Sequence, residues 1–138
     1  MTVDRIFLDA NILFSVAYGS PGLNRLWKLA HQKRCLLFVS HFVVEEARRN
    51  LSRPEEKKRL ENSLSEVRIV PEADPTLPRP IELIEKDRPV LMAAISNKAD
   101  YLMTGDSTHF GRYFGQTVSG VKICRPRDYL SKPLRKKK

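Results

Sequence analysis

Five short apolar runs punctuate the chain: Ile6-Phe7-Leu8, Leu36-Leu37-Phe38-Val39, Val67 to Val70, Tyr101-Leu102-Met103, and Val121 to Cys124. They are near-continuous, interrupted only by Arg68 and Lys122, which suits parallel strands covered on both faces. Between the runs, apolar residues recur at three- and four-residue spacing. Leu23, Leu26, Trp27 and Ala30 mark one helix. Val43, Val44, Ala47 and Leu51 mark a second, with Ser40 placed to cap it. Residues 54 to 65 predict a charged surface helix opened by Pro54. Val90, Leu91, Ala94 and Ile95 mark a further helix, with Asp87 at its cap position and Pro89 in its first turn. Pro71, Pro75, Pro78 and Pro80 make residues 71 to 80 an extended connector within one domain. The alternation of strand and helix predicts a three-layer α/β/α fold with a mostly parallel sheet of four to five strands. The domain would span residues 1–131, followed by a basic tail at 132–138.

Such a fold gathers the C-terminal ends of its strands along one edge, where ligands bind. Asp9 directly follows the first run, and Asp106 follows the fourth, after Thr104 and Gly105. Asp87 opens the helix that leads into the fourth run, and Glu46 lies on the helix after the second. Four acids from distant parts of the chain thus converge on one edge. Crowded carboxylates raise each other's pKa, and a divalent cation removes that penalty. Oxygen ligands suit Mg²⁺ or Mn²⁺ rather than zinc. Each acid also has a purely structural explanation. Asp87 fits an N-cap, Asp9 and Asp106 fit turns, and Glu46 fits a solvated helix face beside Glu45. Their joint placement is what points to a site.

Composition narrows the class. With 41% apolar and 30% charged residues, the chain fits an ordinary globular protein. No apolar run approaches the roughly 20 residues of a membrane helix. Asp4 and Asp9 fall where a signal peptide needs an apolar core, so the expected compartment is the cytoplasm. Cys35 and Cys124 are isolated, which predicts buried thiols rather than a disulfide or a zinc site. The net charge of +9 suggests a polyanionic partner. From residue 122 onward, eight bases against one acid supply +7 of it. A lysine-rich end is also an ordinary solubilising tail, so the charge supports nucleic-acid binding without establishing it.

No GxSxG or GxxxxGK[ST] motif is present, and His31, His41 and His109 are scattered; His109, three residues after Asp106, could approach the site but reads first as a solvated loop residue. The chemistry left to the acids is water activated by a bound metal. Three stretches then fall into a known order: IFLDANIL, SHFVVEEARRNL and KDRPVLMAAISNKADYLMTGDSTHF. Together they resemble the PIN-domain nucleases, VapC-like toxin ribonucleases among them, over roughly residues 3 to 130. The resemblance implies catalytic and metal-binding roles for Asp9, Glu46, Asp87 and Asp106, with Asn11 and Thr104 as supporting polar residues. It implies an Mg²⁺- or Mn²⁺-dependent endoribonuclease that hydrolyses single-stranded RNA to 5′-phosphate and 3′-hydroxyl ends. It allows an antitoxin protein and a second copy of the chain as further partners. Glu45, adjacent to Glu46, stands as the alternative acid. Many relatives carry another acid two residues after the last Asp; this chain has Thr108, which lowers the charge available to a second metal.

Arg48, Arg49, Arg88 and Lys136 are candidate contacts to RNA phosphates, with Arg53 and Arg112 extending the track. Tyr113 and Phe114 read as a core anchor for the last strand rather than a base-stacking pair. The competing reading is a catalytically inactive RNA-binding module on the same fold, which retention of all four acids disfavours. A nucleotide-binding α/β protein is disfavoured because no glycine-rich loop follows the first strand.

Overall fold

The apolar runs become neighbouring strands in the computed structural model, which describes residues 3–74, 76–78, 80–81 and 87–131. The strands are β1 (Asp4–Leu8), β2 (Cys35–Ser40), β3 (Val67–Val70), β4 (Tyr101–Met103), β5 (Thr117–Val118) and β6 (Val121–Cys124). The helices are α1 (Ala10–Ala17), α2 (Pro21–His31), α3 (His41–Arg49), α4 (Pro54–Leu64), α5 (Arg88–Ser96), α6 (Ser107–Phe110) and α7 (Pro126–Leu130). The strands lie in the order β3-β2-β1-β4-β6-β5. All pairings are parallel except β5 with β6. The expected α/β sheet is therefore present, with one strand more than the apolar runs announced. The addition is a hairpin whose turn residues Ser119 and Gly120 both have positive φ, 49° and 87°, as a tight two-residue turn between antiparallel strands requires.

The core is built from both sheet faces. Ile6, Phe7, Leu8, Phe38, Leu102 and Met103 are all but sealed from solvent, and Cys35 and Cys124 lie among them. Burial, with Asp4 nearby, raises the Cys35 thiol to about 11. Ser40 caps α3 by accepting from the Val43 amide at 3.4 Å, and Leu51 is buried just beyond the helix end. Pro54 opens α4 as expected. Three helices, α1, α6 and α7, have no announcement in the apolar spacing, and α1 is the longest of them. Its sequence ANILFSVA buries Ala10, Ile12, Leu13 and Ala17, because α1 lies against α2, α3 and α4. Tyr113 is buried in the core and Phe114 packs against it, as expected of an anchor.

The topology fixes where a cleft must open. From β1 the chain steps outward to β2 and β3, then returns to β4 on the other side of β1 and continues to β6. Right-handed crossovers place helices over opposite faces on the two sides of this reversal. The crossovers diverge at the C-terminal ends of β1 and β4, and such a reversal leaves a crevice there. The ladder carries the chain into it. The Asp9 amide donates to Met103 O at 3.0 Å, and the Thr104 amide to Cys124 O at 2.9 Å. Pro75 and residues 132–138, the proposed basic tail, lie outside the described residues. Among the described residues, no helix is long and apolar enough to cross a membrane.

Candidate functional site

At the reversal between β1 and β4 lies a cavity of about 450 Å³, lined by Asp9, Asn11, Glu46, Asp87, Gly105 and Asp106 among others. The four acids predicted from sequence thus face one space, each delivered by a different element. Asp9 sits between β1 and α1, where its Oδ1 accepts from the Ala10 amide at 2.8 Å and caps the helix. Its Oδ2 accepts from the Thr104 hydroxyl at 2.8 Å and from Asn11 Nδ2 at 3.2 Å. Thr104, fully buried, uses every bond its hydroxyl can make. It donates to Asp9 and accepts from Asn11 Nδ2 and from the Asp106 amide, both at 3.1 Å. Asn11 closes the web by accepting from the Gly105 amide at 2.7 Å. A Cβ on Gly105 would come to 3.4 Å from Asn11 Oδ1, so this close approach uses the absence of a side chain.

Asp106 caps α6. Its Oδ1 accepts from the amides of Thr108 and His109, each at 3.1 Å, which leaves Oδ2 facing the cavity. Asp87 stands at the cap position of α5 but makes no capping hydrogen bond, and its residue is 5% exposed. A cap is the usual reason for Asp before a helix, so that explanation does not hold for this side chain. Glu46 lines the cavity. Glu45 points outward and pairs with Arg48 at 3.1 Å, as the angle of about 100° between successive helix residues requires.

His109 is where the structure departs from the sequence reading. Instead of lying in solvent, its Nδ1 is shut away 2.7 Å from Asp106 Oδ2 and 3.0 Å from Asp87 Oδ2. Ligand atoms of Asp87, Asp106 and His109 lie within 4.8 Å of one another. Among the described residues, this is the tight trio that can close on one metal ion; Asp9 and Glu46 stand further round the cavity. The signal for His109 was its spacing, since a residue three beyond a helix cap shares the face of the cap. Electrostatics agree with a site poised for a cation. Burial holds the Asp9 carboxyl above its ordinary range, and Asp106 adds to that, against the lowering pull of Thr104, Ala10 and Asn11.

The candidate phosphate contacts divide. Arg48 is engaged by Glu61 on two nitrogens at 2.9 Å and by Glu45 on the third. Arg49 is exposed at the end of α3, and Arg88 follows Asp87 with its Nε buried. Lys136 lies outside the described residues.

Residues 5–108 match the protein family described as PIN domain. The fold is similar to the crystal structure of VapBC2 from Rickettsia felis bound to a DNA fragment from their promoter. The TM-score is 0.63 at 17% identity, covering 88% of this chain and 98% of that one. It is also similar to FitAB bound to an IR36 DNA fragment, with a TM-score of 0.55 at 20% identity, covering 88% and 94%. At these identities the likeness is one of fold. No curated protein matches the sequence.

Proposed function

The chain belongs to the PIN-domain family, and from that premise we propose that it is a divalent-metal-dependent endoribonuclease acting on single-stranded RNA. The observation that carries this reading is the facing of Asp9, Glu46, Asp87 and Asp106 into one cavity at the reversal of the sheet. The donor set fits a metal. Carboxylates crowded in a partly buried space repel unless a cation sits among them, and carboxylate oxygens suit Mg²⁺ or Mn²⁺. When bound, the ion supplies Lewis-acid activation of water and charge neutralisation at the phosphate.

The residues divide that work. Asp87 and Asp106 hold the ion, with Asp9 and Glu46 completing the anionic wall. Thr104 and Asn11 fix the Asp9 carboxylate by hydrogen bonds to the oxygen that faces them. Arg49, Arg88 and the C-terminal bases from Lys132 to Lys138, Lys136 among them, supply contacts to phosphates on either side of the scissile bond. The proposal extends to a biological role as the toxin of a toxin–antitoxin pair in the cytoplasm, with an antitoxin protein as partner and a homodimer as its own assembly. The likeness to VapBC2 and FitAB supports that extension.

The test is single-turnover cleavage of a labelled single-stranded RNA with saturating enzyme, with Mg²⁺ or Mn²⁺ and with chelator. Cleavage should require the ion. Asp106→Asn should lower it by at least about 100-fold, the upper end of what even outer-shell partners of a metal cost, while RNA binding persists. Full cleavage by Asp106→Asn, with contaminating nuclease excluded, defeats the reading. RNA binding without cleavage in the unaltered chain identifies an RNA-binding module instead.

A further inference from the structure

One imidazole stands beside the cavity's acids, its ligand atom grouped with those of Asp87 and Asp106. His109 Nδ1 is enclosed, with Asp106 Oδ2 at 2.7 Å and Asp87 Oδ2 at 3.0 Å, and it is hydrogen-bonded to neither. A ring N–H that clamps a carboxylate aligns on one oxygen. A ring nitrogen aimed between two carboxylate oxygens has instead the posture of a third donor around a common point. The local chain enforces it. Asp106 Oδ1 is spent on the amides of Thr108 and His109, so only Oδ2 is turned inward. The same single turn of α6 places the imidazole on that side. Thr108, one residue earlier, points no charge into the space and gives only its amide to Asp106.

We propose that His109 is a direct ligand of the ion held by Asp87 and Asp106, making this centre a nitrogen–oxygen site that selects Mn²⁺ and later transition ions over Mg²⁺. The inference rests on the metal-dependent reading above and adds the identity of the third ligand and the ion preference. Imidazole binds first-row transition ions well, whereas Mg²⁺ prefers oxygen and keeps its waters. One imidazole therefore separates two ions that an all-carboxylate site would barely distinguish.

The experiment uses the full chain, stripped of metal, with Mn²⁺ as the probe. Binding is followed by loss of the free Mn²⁺ electron-paramagnetic-resonance signal, and Mg²⁺ affinity by competition. The bound Mn²⁺ should show nitrogen modulation in pulsed spectra of the unaltered chain, a readout that needs no variant to fold. His109→Ala should lose the modulation and weaken Mn²⁺ by about 10-fold or more, while Mg²⁺ affinity changes by less than about threefold. His109→Asn, which keeps a polar side chain of similar reach, should behave in the same way. Absence of nitrogen modulation, or Mn²⁺ binding as tight or tighter in both variants, overturns the proposal and makes His109 a clamp that competes with the ion. In that outcome loss of binding in Asp106→Asn still upholds the metal reading. If the unaltered chain binds neither ion, both fall.

Discussion

The two ends of the sheet each carry acids and a cavity, and they use them in opposite ways. At the N-terminal end, a space of about 610 Å³ is lined by Asp4, Arg5, Asp100, Tyr101 and Lys122 among others. Its acids have partners of complementary kind. Asp100 accepts from the Arg5 amide at 2.8 Å, and Asp4 accepts from the Tyr129 hydroxyl at 2.8 Å. The Arg5 guanidinium donates to the carbonyls of Asn97 and Lys98 and lies 4.4 Å over the Phe38 ring. At the C-terminal end the smaller cavity, about 450 Å³, turns acid toward acid. Size therefore does not identify the site. What differs is that the C-terminal acids, although Asp9 and Asp106 also accept from donors, crowd four carboxylates around one space, the arrangement whose mutual repulsion a cation would relieve.

The largest expected effect is metal-linked stability. An ion that binds only the folded chain should stabilise it by about 2.7 kcal/mol at roughly 100 times its Kd. Thermal unfolding with and without Mn²⁺ should show this for the unaltered chain and for Asp100→Ala, and lose most of it in Asp87→Asn. A response lost in Asp100→Ala and kept in Asp87→Asn would reverse the contrast between the ends. Next in size, the N-terminal ties should matter with or without metal. Asp100→Ala removes the acceptor of the Arg5 amide, and Tyr129→Phe removes the donor to Asp4. Each should cost about 1 kcal/mol in urea unfolding, with no change in RNA cleavage once folding is matched. A cleavage defect in either variant would blur the division of labour.

The smallest effect is in pH. Burial holds the Asp9 carboxyl above its unfolded value, so the native state keeps this proton to higher pH than the unfolded chain. Stability from this group therefore falls as pH rises from the unfolded pKa through the folded one, and the cost is complete above it. With chelator present, Asp9→Asn should gain on the unaltered chain across that window and show no such gain below it. A constant difference at every pH would mean that the Asp9 environment does not resist its charge.

Much of this was legible in the sequence because buried strands announce themselves as apolar runs, the half-exposed edge strand β3 being the exception. The five runs around Phe7, Phe38, Val67, Leu102 and Ile123 all became strands. Helix α1 was silent because it is enclosed by three helices and buries residues on more than one side, so ANILFSVA carries no stripe. The β5 strand was silent because it is two residues long and formed by its turn. At the site, the four acids could be placed on one edge from topology alone. Sequence could not decide whether Asp87 caps its helix, since an N-cap and a cavity acid occupy the same position and differ only in side-chain direction. The spacing of His109 from Asp106 raises it as a neighbour of the site, but that spacing decides against a solvated loop only once residues 107–110 are known to be helical.

One residue ties the history of this chain to its architecture. Asp9 caps α1, the helix in contact with α2, α3 and α4, and also lines the cavity. Asparagine caps a helix about as well as aspartate and carries no buried charge, so Asp9→Asn keeps the α1 cap and discards an acid, although its Nδ2 then faces the Thr104 and Asn11 donors. On the proposed activity, a lineage released from cleaving RNA leaves more readily through Asp9→Asn than through Asp9→Ala, which would loosen the central helix as well. Descendants that kept the fold and abandoned the chemistry should therefore be sought among relatives with asparagine at position 9, while the Thr104 and Asn11 web that once served the carboxylate still stands around it.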